Sequence, residues 1–343
     1  AMYGQYNTAV NDLNITVEQT FPFPTRLAAG VDAIDAETDA AASQLRLEQR
    51  RIRAVYDSLW ITMIGFQRQQ EVIDSLLVIA QRLTATLLAQ QQAGALRRLD
   101  VLQVERTTNL LAHRRSEIQN NILETEIALR TLLDVDEASF ITGPRELEEL
   151  STTIEGSSTL SLAYADAATT ALSSIRAQRH VVTQNRLPDI IVGVFDQSLS
   201  GDQTISGVTT TYDRSDRFRG VTFGISVPLW QRHISAQLEA IDVRTMMVSE
   251  EQQRTLRYLD RRQLATRQRI TAYITMLRSL QDSVLPLAEE SVNLATLAWS
   301  SGDVSWADVA AALEGLHSTR LFIIDTRVRL AHSITELRTL TQP

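Results

Sequence analysis

Cysteine and lysine are both missing from the 343 residues, and proline, glycine and aromatic side chains are scarce. Without cysteine there is no disulfide and no thiolate metal site, which is compatible with an extracytoplasmic address. All 33 basic residues are arginine, a bias we assign to lineage and give no functional weight. Glycine and proline total 20 and aromatics reach only 6%, while Ala, Leu, Gln, Arg and Glu dominate, so the composition leans towards long helices. A net charge of −8 argues against a general nucleic-acid binder, because neutralising a phosphate backbone needs a basic surface. No run of 18 apolar residues occurs, so no helical membrane span is expected, and the start AMYGQYN carries no signal peptide and looks processed or truncated.

Catalytic patterns are missing as well. His113, His180, His233, His317 and His332 are scattered and form no H-E-x-x-H pair, and neither a Gly-rich phosphate loop nor G-x-S-x-G is found. No enzymatic activity, cofactor or metal site is expected, and the histidines read as solvated or helix-packing side chains. Met246-Met247 offers thioethers that suit soft cations, but neighbouring residues do not share a helix face, so helix packing is the better reading.

What the chain does have is a repeated junction. Ile15–Arg26 (ITVEQTFPFPTR) and Val221–Arg232 (VTFGISVPLWQR) align 206 residues apart, matching Thr16 with Thr222, Pro22 with Pro228 and Arg26 with Arg232. In the second copy Val221, Phe223, Ile225 and Val227 alternate with Gly220, Thr222, Gly224 and Ser226, the period of two of a strand with one apolar face. The first copy keeps the phase with Leu13, Ile15, Val17 and Phe21 against Asn14, Thr16, Glu18 and Thr20. At each proline the alternation gives way to a very long helical pattern.

Two repeats follow. The first, residues 1–159, holds a partial strand hairpin, helices 25–93 and 99–133, and an acidic connector 134–159 with seven acids against Arg145 alone. Pro22 and Pro24 end the strand and Thr25 reads as a helix N-cap. Helix 25–93 would run roughly 100 Å at about 1.5 Å per residue, so it must pack against similar helices; Ile73, Leu76, Ala80, Leu83 and Leu87 form its seam. The second repeat, 160–343, holds helix 160–187, strands 189–198 and 217–229 joined by an exposed loop without regular structure, and helices 232–299 and 305–340. Leu277, Leu280, Val284 and Leu287 supply its seam, with a local kink at Pro286. Gly94 and Gly302 mark the hairpin turns, 72 and 74 residues after the aligned prolines. The fold class is therefore mainly α with a few strands, built from two repeats of strand hairpin plus long antiparallel coiled-coil hairpin.

Three motifs carry a family resemblance. They are the strand ends Gln19–Pro24 and Ser226–Leu229, the RLPD strand opener Arg186–Asp189, and hairpin turns in which a glycine is followed six residues on by an acid and an aliphatic: Gly94 with Asp100-Val101, and Gly302 with Asp308-Val309. Together with the spacing they cover nearly the whole chain, which resembles the TolC-like outer-membrane efflux proteins, in particular their heavy-metal, CusC- and CzcC-like branch. Members of that family carry a signal peptide, often a lipidated cysteine, and further helices and a strand before the point where this sequence starts, so the resemblance implies an N-terminally truncated chain with an incomplete first hairpin.

The resemblance further implies a homotrimer whose strands close a twelve-stranded barrel in outer-membrane lipid above a periplasmic helical tunnel, since open strand edges are not tolerated in lipid. Val221, Phe223, Ile225 and Val227 would face lipid. Asp100 and Asp308, with Arg97 and Arg98, would lie at the periplasmic aperture, as rings of carboxylates that attract cations or simply as acids favoured at helix starts. Gly94, Ala95, Leu96, Gly302, Asp303 and Val304 would meet a periplasmic adaptor, the membrane fusion protein, working with an inner-membrane RND transporter. The function implied is a passive exit duct for heavy-metal cations or small toxic compounds. The alternative is a soluble periplasmic coiled-coil adaptor or scaffold, which has no need of an apolar outer strand face.

Overall fold

The computed structural model describes residues 2–3, 13–92, 98–135, 162–198, 201–205, 208–213 and 217–341. Its strands are β1 (Met2–Tyr3), β2 (Leu13–Phe21), β3 (Asp189–Ser198), β4 (Gly201–Ile205), β5 (Val208–Tyr212) and β6 (Arg217–Ser226), and its α-helices are α1 (Pro24–Gln92), α2 (Arg98–Leu133), α3 (Leu162–Gln184), α4 (Arg232–Ser279), α5 (Leu285–Ser301) and α6 (Trp306–Thr341). The turn residues Gly94, Ala95, Leu96 and Arg97, and all but the first two residues of the acidic connector, lie outside the described residues.

The chain divides into two units, Ala1–Gln44 with Ala165–Arg254, and Leu45–Tyr164 with Thr255–Pro343. The first contains the strands. One antiparallel sheet has the order β1-β2-β3-β6, and β4 pairs with β5 in a separate ladder. That ladder replaces the irregular loop expected between β3 and β6; its Thr- and Val-rich β5 (VTTTY) has the β-branched content a strand favours. The register aligns Val17 with Val194 and Val221, and Phe21 with Ile190 and Ile225.

The sheet is fastened to the helices at the strand ends. α1 begins at Pro24, whose fixed φ suits the first helical position, and the Phe23 carbonyl accepts the amides of Arg26 and Leu27. Thr25 is therefore inside the helix rather than its cap, and its hydroxyl donates to Gln184 Oε1 at 2.8 Å. Arg26 Nη1 donates to Asp189 Oδ1 at 2.9 Å, joining the start of α1 to the start of β3, and Arg179 pairs with Asp242 at 2.6 Å across α3 and α4. Ala29, Ser43, Ile175, Ile234 and Leu238 are buried here.

The second unit is made of helices. α2 and α6 are each 36 residues long, the two return arms of the repeat. One apolar cluster joins Trp60, Ile61, Met63 and Ile64 of α1 to Leu129 of α2 and Ala331 of α6; another joins Ile270 and Leu277 of α4 to Ile323, Leu330, Ile334 and Leu337 of α6. In the seam of α1, Ile73, Leu76 and Leu87 are buried, while Ala80 and Leu83 are half-buried. Within Pro24–Ala89 the helix contains an 18-residue stretch of mean hydropathy 1.6, long and apolar enough by composition to cross a membrane, against the expectation from sequence. Only 22% of that stretch is buried; along the helix Ile73, Leu76 and Leu87 are buried, and Asp74 takes Arg115 at 2.6 Å.

The helix expected over 232–299 is interrupted. Residues Leu280–Val284 form a π-helical turn in which the Leu285 amide reaches the Leu280 carbonyl, just before Pro286, which cannot donate. The extra residue turns everything after it by about 100°. Leu277 and Leu280 are accordingly buried, but Val284 and Leu287 are exposed, Leu287 at 65%, so half of the expected seam leaves the core.

Candidate functional site

In the first unit the candidate site is one face of the sheet. Rows Phe21–Ile190–Ile225, Gln19–Val192–Phe223 and Val17–Val194–Val221 run across β2, β3 and β6 on the same side. Val221, Phe223 and Ile225 are exposed, Phe223 at 77%, although each is large and apolar. A contiguous bare patch of this kind marks a surface that meets another apolar phase. Val227 does not belong to the strand. β6 ends at Ser226, opposite Asp189, and the next residue on β3's side is Pro188, which has no amide to extend the ladder. Val227 instead opens an irregular, exposed link through Leu229 and Trp230 to α4.

The opposite face is close-fitting rather than uniformly small. Phe195 and Ile191 of β3 stand on it, opposite Gly220 and Gly224 of β6. A Cβ at Gly220 would sit 2.4 Å from the Phe195 ring, and one at Gly193 would sit 2.4 Å from Thr222 Oγ1 and 2.8 Å from Glu18 Cγ. Large and small residues thus alternate across strands, a fit that a single strand's sequence does not show.

The hairpin turns lie in the second unit. Gly302 closes α5 in the left-handed region at φ 83°, with its amide reaching the Trp299 carbonyl and the Asp303 amide the Ala298 carbonyl, a Schellman closure that releases the chain for α6. Ser305 then caps α6. The Ser305 amide and hydroxyl donate to Asp308 Oδ2 at 2.9 and 2.7 Å, and the Asp308 amide donates to the Ser305 carbonyl at 3.1 Å. These bonds, the Ser305 hydroxyl first, hold the Asp308 carboxyl below its usual range. Asp308 is thus a working helix-start acid, with Oδ1 left outside the cap.

The aliphatics that follow the two turn acids have a packing role. Val101 and Val309 are buried in one cluster with Leu87, Val104 and Trp306, and Trp306 meets Trp299 edge to face at 5.7 Å. The start of α2 therefore packs beside the start of α6. Asp303 accepts from the Ser301 hydroxyl at 2.7 Å, and Val304 is half-buried. Arg98 is exposed and forms no ion pair among the described residues. For Asp100 the structure fixes only its place in the first turn of α2.

Other singled-out residues fall apart in space. Met246 and Met247 are both exposed, so neither packs between helices. No cluster of metal-ligating side chains is found among the described residues. His332 sits between Ser58 and Thr62, its ring nitrogens 3.2 and 3.3 Å from their hydroxyls. His317 is buried with no hydrogen-bond partner at either ring nitrogen among the described residues, a feature that sequence gave no sign of.

This arrangement of strands leading into long helices, given twice, has counterparts among solved structures. It is shared with the outer membrane protein VceC from Vibrio cholerae, at 16% identity over 98% of this chain and 84% of that one with a TM-score of 0.73. The Campylobacter jejuni CmeC outer membrane channel matches at 11% identity over 100% and 76%, TM-score 0.75. CusC, solved in a study of transmembrane channel formation, matches at 14% identity over 99% and 80%, TM-score 0.74. No family model and no curated protein matches the sequence, so the likeness is one of fold.

Proposed function

We infer that the protein is the outer-membrane exit duct of a tripartite efflux pump in a Gram-negative bacterium. The observation that carries the reading is the bare row structure of the sheet: Val221, Phe223 and Ile225 stand exposed beside Val194 and Val17 on strands of membrane-spanning length. Strands of 9 or 10 residues match the span of a tilted transmembrane strand. Because lipid does not tolerate open strand edges, β6 and the remainder of β2 would pair with neighbouring copies, giving a trimeric barrel. The shared fold with proteins described as an outer membrane protein and an outer membrane channel supports the same reading.

On this reading transport is passive and an inner-membrane RND transporter supplies the energy. The hairpin turns, Gly94–Leu96 and Gly302–Val304, would receive a periplasmic adaptor, and Asp100, Asp308, Arg97 and Arg98 would surround the aperture, with Asp308 Oδ1 free of its cap to meet cations. The cargo class is heavy-metal cations or small toxic compounds. Reconstitution of the full-length protein into planar bilayers tests the duct: detergent-dependent trimers with single-channel conductance are expected, whereas a stable monomer that never inserts would favour the soluble scaffold. Deletion of the gene followed by a metal and antibiotic sensitivity panel tests the cargo.

A further inference from the structure

The apolar face of the sheet does not stay apolar to its end. Beyond the row Val17–Val194–Val221, the next two rows on the same side are Ile15–Asp196–Arg219 and Leu13–Ser198–Arg217. The three rows Ile225 to Val221 cover only about 13 Å along the strand at roughly 3.3 Å per residue. A lipid-facing band is about 25 Å tall, so both arginine rows are needed to complete it, and they fall at the edge furthest from the helices.

The charges there are uneven. Asp196 Oδ2 takes Arg217 Nη2 at 2.7 Å, but Arg219 Nε stands 3.7 Å from Oδ1, beyond hydrogen-bond range, and its side chain is 72% exposed. One carboxylate against two guanidiniums leaves a net positive charge, and Arg219 keeps the planar fork of donors suited to phosphate oxygens. Beside it an open groove of about 480 Å³ is lined by Ile15, Val17, Val194, Asp196 and Arg219, with Phe195 and Gly220 of the neighbouring row positions also at its wall, and it has room for a hydrocarbon chain.

We propose that Arg219, positioned by the Asp196–Arg217 pair, binds the phosphate of a phosphorylated outer-leaflet glycolipid whose acyl chain lies in the groove beside Ile15, Val17 and Val194. The charge of the headgroup complements the excess arginine and the apolar wall complements the chain; a free anion would use only the first. The site rests on the reading that this face meets lipid.

The test places the full-length protein in phosphatidylcholine nanodiscs doped with diphosphoryl lipid A or with the same lipid A stripped of its phosphates, and counts lipid A retained per chain by mass spectrometry. Retention about tenfold higher for the diphosphoryl form is expected, with the preference abolished in Arg219→Gln and partly kept in Arg219→Lys. Arg219→Gln leaves the Asp196–Arg217 pair intact, so the strand pairing is preserved. Equal retention of both lipids, a preference untouched by Arg219→Gln, or complete displacement by inorganic phosphate would overturn the glycolipid site while leaving the duct in place. Failure of the wild-type chain to enter nanodiscs would overturn the lipid face and the site with it.

Discussion

Gly65→Ala should destabilise the helical unit even though the same exchange in an open helix is favourable. Replacing glycine by alanine in a helix interior gains roughly 1 kcal/mol through backbone entropy. Gly65 is buried in α1, however, and a Cβ there would sit 2.5 Å from Val328 Cγ2 of α6, with the other Val328 side-chain atoms at 3.7 Å. Carbon atoms prefer separations of about 3.5–4.0 Å, so the clash requires a shift of about 1 Å. Valine in a helix has one strongly preferred rotamer, so the methyl cannot swing away cheaply and the backbones must part. They part beside the cluster of Trp60, Ile61, Ile64, Leu129 and Ala331 against which Val328 packs. Overpacking costs about 1–3 kcal/mol, and the loosened cluster adds to it, so a net loss of about 1–2 kcal/mol is expected. Gly315 supplies the control: nothing lies within 4 Å of its Cβ position, so Gly315→Ala should raise the midpoint. Thermal unfolding of the detergent-solubilised protein by circular dichroism reads these two variants together with Val328→Ala and the double variant Gly65→Ala with Val328→Ala, in which the clash is relieved. A Gly65→Ala midpoint as high as that of Gly315→Ala, or additive effects in the double variant, would refute the close approach.

Phe223→Arg places a charge in the apolar rows and should cost about 2–4 kcal/mol if it lies near the bilayer midplane, read as lost outer-membrane assembly; normal assembly would contradict the assigned face. Asp308→Asn retains a carbonyl oxygen for the Ser305 cap but removes the charge, so cation block of the conductance should weaken and the thermal midpoint at neutral pH should fall slightly. Unaltered block would leave capping as its sole role. The wild-type cap should also fail in acid, because a depressed carboxyl pKa contributes stability above the unfolded value that disappears as pH falls through the folded one. For His317, burial lowers the ring's affinity for protons, Arg114 of α2 lowers it further and Glu314 opposes. The unfolded chain then takes up a proton first, so stability should fall as pH drops below about 6.5. His317→Leu should flatten the fall in midpoint between about pH 7.5 and 5.5, and an unchanged slope would place the loss elsewhere.

Periodicity made the large elements legible because it is a local signal. Helices 25–93 and 99–133 are found at 24–92 and 98–133, and the glycine turn at Gly302 is where the left-handed closure occurs. What escaped were features decided by a partner segment. The lost phase of Val284 and Leu287 follows from a π turn beside a proline, which a seam count treats as ordinary helix. The strand end at Ser226 is decided by Pro188 across the ladder, and the seating of Phe195 over Gly220 by register. The arginine rows were equally hidden: Arg217 and Arg219 continue the alternation of β6 beyond the copied motif, and their pairing with Asp196 needs β3 beside them.

The repeated junction also proves less symmetrical than its sequence, and the asymmetry has a physical source. Aligned at their first prolines, Pro24 of the first copy corresponds to Trp230 of the second. Pro24, with φ already set, starts α1 two residues after Pro22, so the chain turns at once from strand to helix. Trp230 presets nothing, the link runs on to Gln231, and the indole is left 85% exposed next to the bare Leu229. A large amphipathic ring left mostly exposed is costly in water but suits the boundary between headgroups and hydrocarbon. On the duct reading, the second junction therefore sets the depth of the barrel, with Trp230 at the helix side of the apolar rows and Arg219 at the other. The first junction, closed by its second proline, is instead tied to β3 through Arg26 and Asp189.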